Sequence, residues 1–315
     1  MFRFTIRFFL VLLASWCCWT RPAAAQRNSA RDDRAPAKKS ILTTRDGVRL
    51  GITYFASDQG QEAVPVVLMH DHKESRAALN GLAAALQNPR DPDTPSMAVV
   101  TLDFRGHGES TTVVGPGRQV HKIDAVKLRT ADYLAMVRFD MEAVRKFLVE
   151  KNDAGELNLN KLCLVGVGMG ANVAVYWAAK DWSAPPLAVG KQGQDVKGLV
   201  LVSPKWNDRG LKLIEPLRNP DVRARISTLI AFGAEDRKAL RDAKNIYKIL
   251  ERYHPEPPRD QREEKKDLFF IGLPTSLQGT KLLTTPQFQM LPRLEGFLEA
   301  RLVNKDYEWS KRRSD

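Results

Sequence analysis

The sequence predicts an α/β domain, a mostly parallel sheet of about eight strands with helices on both faces. Three observations carry that expectation. Short apolar runs alternate with stretches of helical periodicity from about residue 41 to residue 303, the pattern of successive strand–helix–strand units. Several runs, such as 64–69 and 196–202, are continuously apolar, as strands buried on both faces of a parallel sheet are. Residues 161–180 read as a buried strand, a turn with glycine at alternate positions (Gly166, Gly168, Gly170) and a helix, and the rest of the chain is organised around that unit.

The first 25 residues stand apart. Arg3 and Arg7 precede an apolar run over 8–19, and Ala23-Ala24-Ala25 precede Gln26, the three-part pattern of a secretory signal peptide cleaved after Ala25. The run is shorter than the roughly 20 residues a helix needs to cross a bilayer, so no stable membrane anchor is expected. Cleavage implies export, to a periplasmic or extracellular site. It also removes Cys17 and Cys18, leaving Cys163 alone inside an apolar strand, where a thiol is a small inert hydrophobe and no intramolecular disulfide can form. Residues 26–40 are polar and charged, with little to bury, and read as a disordered leader.

The domain follows over 41–303. Extended runs at 41–44 and 48–55 flank Asp46-Gly47, a hairpin signal. A strand at 64–70 ends in His70-Asp71-His72 and leads into a helix at 75–87. Another at 97–103 ends in Asp103-Phe104-Arg105-Gly106-His107-Gly108-Glu109-Ser110, where Asp103 and Arg105 can tie the loop by charge-assisted hydrogen bonds. Residues 111–129 are polar and irregular and read as a loop. From Thr130, Leu134, Val137, Met141, Val144 and Leu148 recur at helical spacing. Beyond the glycine turn come strands at 196–202 and 227–232, separated by too few residues for a lid domain, so any active face is open. Gly233 to Asp236 then precedes a helix at 238–252, a strand at 268–271, Gln278-Gly279-Thr280-Lys281-Leu282-Leu283, a closing helix at 292–303 and a polar C-terminal tail at 304–315.

Gly166-Val167-Gly168-Met169-Gly170 resembles the G-x-S-x-G nucleophile elbow of the α/β-hydrolase family, and 103–110 resembles that family's D-x-R-G-x-G-x-S turn. The likeness covers nearly the whole chain after residue 41 and implies an α/β-hydrolase sandwich of the esterase, lipase and serine aminopeptidase kind. It also exposes what is missing. Gly168 stands at the nucleophile position and offers no oxygen or sulfur. Gln278 stands where the family pattern places its histidine, and glutamine does not titrate near neutral pH. Asp236 stands at the place of the triad acid, the one triad-like position retained, although a helix-capping role explains it equally well. Asp71 replaces the glycine common after the first histidine, and a carboxylate there repels a developing oxyanion if it points inward. The backbone N–H of Met169 still offers an anion-accepting niche at a helix start.

Charge narrows the functions less. The formal charge of +12 falls to +9 when Arg3, Arg7 and Arg21 leave with the signal peptide, but the basic residues are scattered and no aromatic residues alternate with them, so no nucleic-acid partner is expected. No cofactor and no metal is assigned. A centre built from His70, His72 and His107 with Asp71 or Asp103 is the weakest reading, since both His70 and His107 match ordinary family turns. The leading expectation is a catalytically degenerate hydrolase relative, a pseudoenzyme, binding a small-molecule or protein ligand in a cleft near His72, Met169, Asp71, Asp236 and Gln278. The alternative is an active serine-hydrolase-like esterase, lipase or aminopeptidase using non-standard residues.

Overall fold

In the computed structural model residues 35–185 and 191–312 are described, so the expected signal peptide and most of the expected leader lie outside the described residues. β1 (Lys38–Thr43) pairs antiparallel with β2 (Arg49–Phe55), with Lys38 opposite Tyr54. The expected leader therefore ends three residues early. Lys38, Lys39 and Ser40 are held by backbone pairing at the sheet's edge, where a strand needs little apolar surface. β3 (Pro65–Met69), α1 (Ala77–Gln87) and β4 (Ala98–Leu102) follow, then a short hairpin of β5 (Thr112–Val114) and β6 (Val120–Lys122). That hairpin falls where the sequence suggests only a loop, because strands of three residues are too short to show periodicity.

α2 (Thr130–Ala135) and α3 (Met141–Asp153) are joined through a π-helical turn at Met136–Asp140. β7 (Leu162–Val167) and α4 (Met169–Trp182) form the elbow unit, followed by β8 (Val196–Val202) and a two-residue ribbon of β9 (Asn207–Asp208) and β10 (Leu211–Lys212). The chain closes with α5 (Pro220–Arg225), β11 (Ser227–Gly233), α6 (Arg237–Leu250), α7 (Arg262–Lys265), β12 (Leu268–Leu273), α8 (Thr280–Thr284) and α9 (Met290–Leu298), which runs into a π turn at Glu299–Val303.

The eight strands of the main sheet run in the order β1-β2-β4-β3-β7-β8-β11-β12. β1 and β2 are antiparallel to their neighbours and the rest are parallel. Because successive strand side chains point to opposite faces, each continuously apolar strand feeds two cores. Val67, Met69, Leu162 and Leu164 pack on one side with α2, α3, α4 and α6, while Val66, Leu68, Cys163 and Val165 pack on the other with α1 and α9. Cys163 is fully buried, and burial pushes its thiol pKa well up, as expected of an inert core residue.

The turn after β4 is fixed by charge. Arg105 reaches Asp140 at 2.6 Å and Asp46 at 2.7 Å, while Asp103 accepts from the Arg76 backbone N–H at 2.7 Å and pairs with its guanidinium. Asp103 and Arg105 thus tie the loop through separate partners. The polar tail is also fastened. Asn158 donates to the Tyr307 carbonyl at 2.7 Å, Asn152 to that of Ser310 at 3.0 Å, and the buried Arg312 lies 2.8 Å from the buried Asp195. Among the described residues no helix is long and apolar enough to cross a membrane.

Candidate functional site

The elbow sits where β7 leaves the sheet beside β8, the Gly168 N–H donating to the Val202 carbonyl at 2.9 Å. Gly168 has φ 51° and ψ −111°, a region that strains any residue with a side chain. The flanking glycines serve contact instead. A Cβ at Gly166 would strike the backbone of Gly170 and Ala171, and one at Gly170 would strike the carbonyl of Met69. Strand and helix approach this closely because both positions lack side chains.

The space above Gly168 is filled. A Cβ there would overlap the carboxyl carbon and both oxygens of Asp71. Asp71 Oδ1 accepts the backbone N–H of Met169 at 2.8 Å and of His72 at 2.7 Å. These are the N–H after the elbow tip and one from the loop after β3, the pair of donors that in a nucleophile-elbow site receives a substrate oxyanion. Asp71 points inward, and the anion in the hole belongs to the protein. The N-terminus of the 14-residue helix α4 favours the negative charge, and Lys205 Nζ stands 3.7 Å from Oδ1. Glu74 steadies the loop, its Oε2 accepting from the Asp71 N–H at 3.3 Å and from Thr280 Oγ1 at 2.5 Å.

Gln278 does not face this pair as a base would. Its Nε2 donates to the Gly233 carbonyl at 2.8 Å, and its Oε1 accepts from Ser203 Oγ at 2.7 Å and from the Gly233 N–H at 3.3 Å. Asp236 is committed elsewhere too. Its Oδ1 caps α6, accepting from the N–H groups of Lys238 at 2.8 Å and Ala239 at 3.0 Å. The capping role is the one the geometry displays, and Asp236 makes no bond to Gln278. A triad acid needs a histidine to orient, and without one the carboxylate is free to cap the helix.

His72 and Met169 contribute backbone rather than side chain. Met169 is fully buried in the core, so it does not present a binding surface. The His72 ring packs against His107 at 5.4 Å and Tyr133 at 6.4 Å, with His70 at 5.0 Å from His107. His70 is satisfied as a neutral ring, Nε2 accepting from the Phe104 N–H at 3.1 Å and Nδ1 donating to the Asp71 carbonyl at 2.7 Å. Burial is the largest influence on all three. It lowers the pKa of His70 to about 3 and that of His72 to about 4, and lowers that of His107. Both ring nitrogens of His70 are engaged, and among the described residues no group of three or more His, Cys, Asp or Glu is placed to hold a metal.

An open cleft of about 520 Å³ lies beside the filled hole. Of the expected residues it is lined by Asp71, Asp236 and Gln278, not by His72 or Met169. Ser203, Lys205 and Glu74 also line it and do not emerge from the sequence. The signal for Ser203 and Lys205 is positional: they follow the carboxyl end of β8, the edge where open α/β sheets bind ligands. Ser203 has φ 50°, rare for a residue with a side chain, and its hydroxyl also accepts the Gly279 N–H at 2.9 Å.

A sheet in this order, crossed by a glycine elbow at the carboxyl edge of its central strands, is the architecture of the α/β hydrolases. The sequence model of the alpha/beta hydrolase family matches residues 66–310, and the chain belongs to that family. Solved structures agree on the fold. An esterase from Pyrococcus furiosus superposes with a TM-score of 0.54 at 15% identity, covering 92% of this chain and 95% of that one. An acylaminoacyl peptidase from Pyrococcus horikoshii gives 0.60 at 11% identity over 94% of this chain and 46% of its own. The alpha/beta hydrolase GrgF from a Penicillium species gives 0.55 at 15% identity, covering 85% of this chain and 99% of that one. No curated protein matches the chain.

Proposed function

We propose that the protein is an exported member of the family in which acyl transfer has been dismantled, and that its former active-site cleft receives a small-molecule or protein ligand. One observation carries this reading: the Asp71 carboxylate sits on both oxyanion donors and in the volume a nucleophile would need. A tetrahedral intermediate would have to displace a charge-assisted, doubly bonded anion before gaining any stabilisation. Gln278 supplies no base in compensation. The cleft that remains combines carboxylates and lysines around a polar floor, suited to orienting a bound molecule rather than to attacking one.

The competing reading is an active hydrolase working through Ser203, the serine that lines the cleft next to Gln278. The esterase and the peptidase among the solved neighbours favour it by analogy alone. A fluorophosphonate probe and a short-chain nitrophenyl ester separate the two. No labelling and no turnover above an inert protein control is the expected result, whereas saturable turnover with the label on Ser203 would establish the hydrolase. Any ligand that raises the melting temperature is expected to lose that effect in Ser276→Trp, which crowds the cleft from an exposed position. Export rests on the pattern in residues 1–25, and its test is N-terminal sequencing of the exported chain, expected to begin at Gln26.

A further inference from the structure

A second cavity, sharing no lining residue with the elbow cleft, runs along the free edge of the sheet and encloses about 780 Å³. That is within the ~300–1,000 Å³ of small-molecule sites. Its floor is Leu229 of β11 with Phe269 and Ile271 of β12, and its wall is the Phe297 face of α9, the Phe269 and Phe297 rings meeting edge to face at 5.7 Å. Among the described residues β12 ends the sheet and no further strand covers this surface.

Gly296 opens the wall of the groove. It lies inside α9, where glycine destabilises a helix relative to alanine. Nothing lies within 4 Å of a Cβ built on it, so no packing contact requires a glycine there. The position lines the groove, and a larger side chain would project into it. The rim carries Arg262, Lys266, Arg293 and Lys305 against Glu264 and Glu299. Glu256 pairs with Arg262 at 3.1 Å and with Lys266 at 2.9 Å, and the rim still keeps a net positive charge. Among the described residues Arg293 has no carboxylate partner, whereas Lys305, at the far end of the helix, is engaged, its Nζ donating to the Glu264 carbonyl at 3.1 Å.

We infer that this groove binds a single alkyl chain bearing an anionic head group, the chain lying on Phe269, Ile271 and Phe297 and the head meeting Arg293 at the end of the groove where α9 begins. Apolar burial supplies affinity along the floor, and the unpartnered Arg293 fixes which end stays at the rim. Free fatty acid and lysophospholipid share this chemistry, and competition by each distinguishes the source.

The test uses the intact protein and the fluorescent fatty acid cis-parinarate. Saturable binding is expected at one site, displaced by oleate or by lysophosphatidylglycerol but not by the neutral monoolein. Gly296→Leu is expected to weaken binding about tenfold or more while the melting temperature holds or rises, because a Cβ there meets no atom of the protein and leucine favours a helix over glycine. Arg293→Glu is expected to weaken binding about fivefold and to remove the preference for anionic competitors. Absence of saturable binding, equal displacement by monoolein, or unchanged affinity in folded Gly296→Leu would each overturn the proposal.

Discussion

The carboxylate of Asp71 occupies the volume that a side chain on Gly168 would fill, so the two positions are complementary: an acid on the β3 loop requires a glycine at the elbow tip. The Met169 N–H donates to Asp71 Oδ1 at 2.8 Å, so the acid occupies the first donor of α4 as well as the space.

This complementarity predicts strong coupling. Gly168→Ser alone is expected to destabilise the protein by about 1–3 kcal/mol, since it forces a strained backbone onto serine and drives the Asp71 carboxylate from its donors. Combining it with Asp71→Gly is expected to cost less than the two single changes added together. Urea unfolding of the four proteins measures the coupling. Strict additivity would show that the two positions do not share one space.

Restoring chemistry needs more than the tip. Asp71→Gly with Gly168→Ser and Gln278→His supplies an empty hole, a nucleophile and a base, and is expected to raise nitrophenyl ester turnover by about 10²-fold over any single variant. Without Asp71→Gly the gain is expected to vanish. A triple variant that folds and stays inert would mean that the Gln278 loop cannot bring an imidazole to the elbow.

Asp236 offers a sharper distinction between cap and triad acid. Asp236→Ala is expected to cost about 1 kcal/mol through loss of the two N–H bonds at the start of α6, and Asp236→Asn almost nothing, because an amide oxygen also caps. Equal losses in both variants, read from thermal or urea unfolding, would point to a role for the charge.

The histidine group sets a pH response. Burial keeps the rings neutral in the fold, so their folded pKa values, about 3 for His70 and about 4 for His72, lie below those of the unfolded chain. The unfolded state therefore takes up protons first as pH falls. Their contribution is complete above about pH 6.5, declines below it and is lost as pH passes through the folded values. The urea midpoint is expected to drop between about pH 6.5 and 4.5, and to drop less in His70→Gln/His72→Gln, which cannot titrate. A flat midpoint in the native protein across that range would contradict the assignment.

The sequence by itself determined the sheet, because strands that are apolar on both faces can only lie between two helical layers. It determined the elbow too: Gly166 is demanded by contact with the backbone of Gly170 and Ala171, a local need, whereas Gly170 is demanded by the Met69 carbonyl of β3 and its reason appears only in the fold. That the elbow tip carries no side chain at Gly168 was equally legible, since an absent side chain needs no structure to be seen. Tertiary structure alone decided what replaced it. Whether Asp71 pointed out to solvent or into the hole depended on the approach of the β3 loop to the start of α4, and those residues lie 98 apart in sequence. The same holds for Asp236, whose capping of α6 only the geometry displays, and for the tail, whose polar residues gave no sign of docking. Their partners, Asp195 and the asparagines at 152 and 158, are buried polar groups whose needs are met only by distant chain, and no local pattern records such a debt.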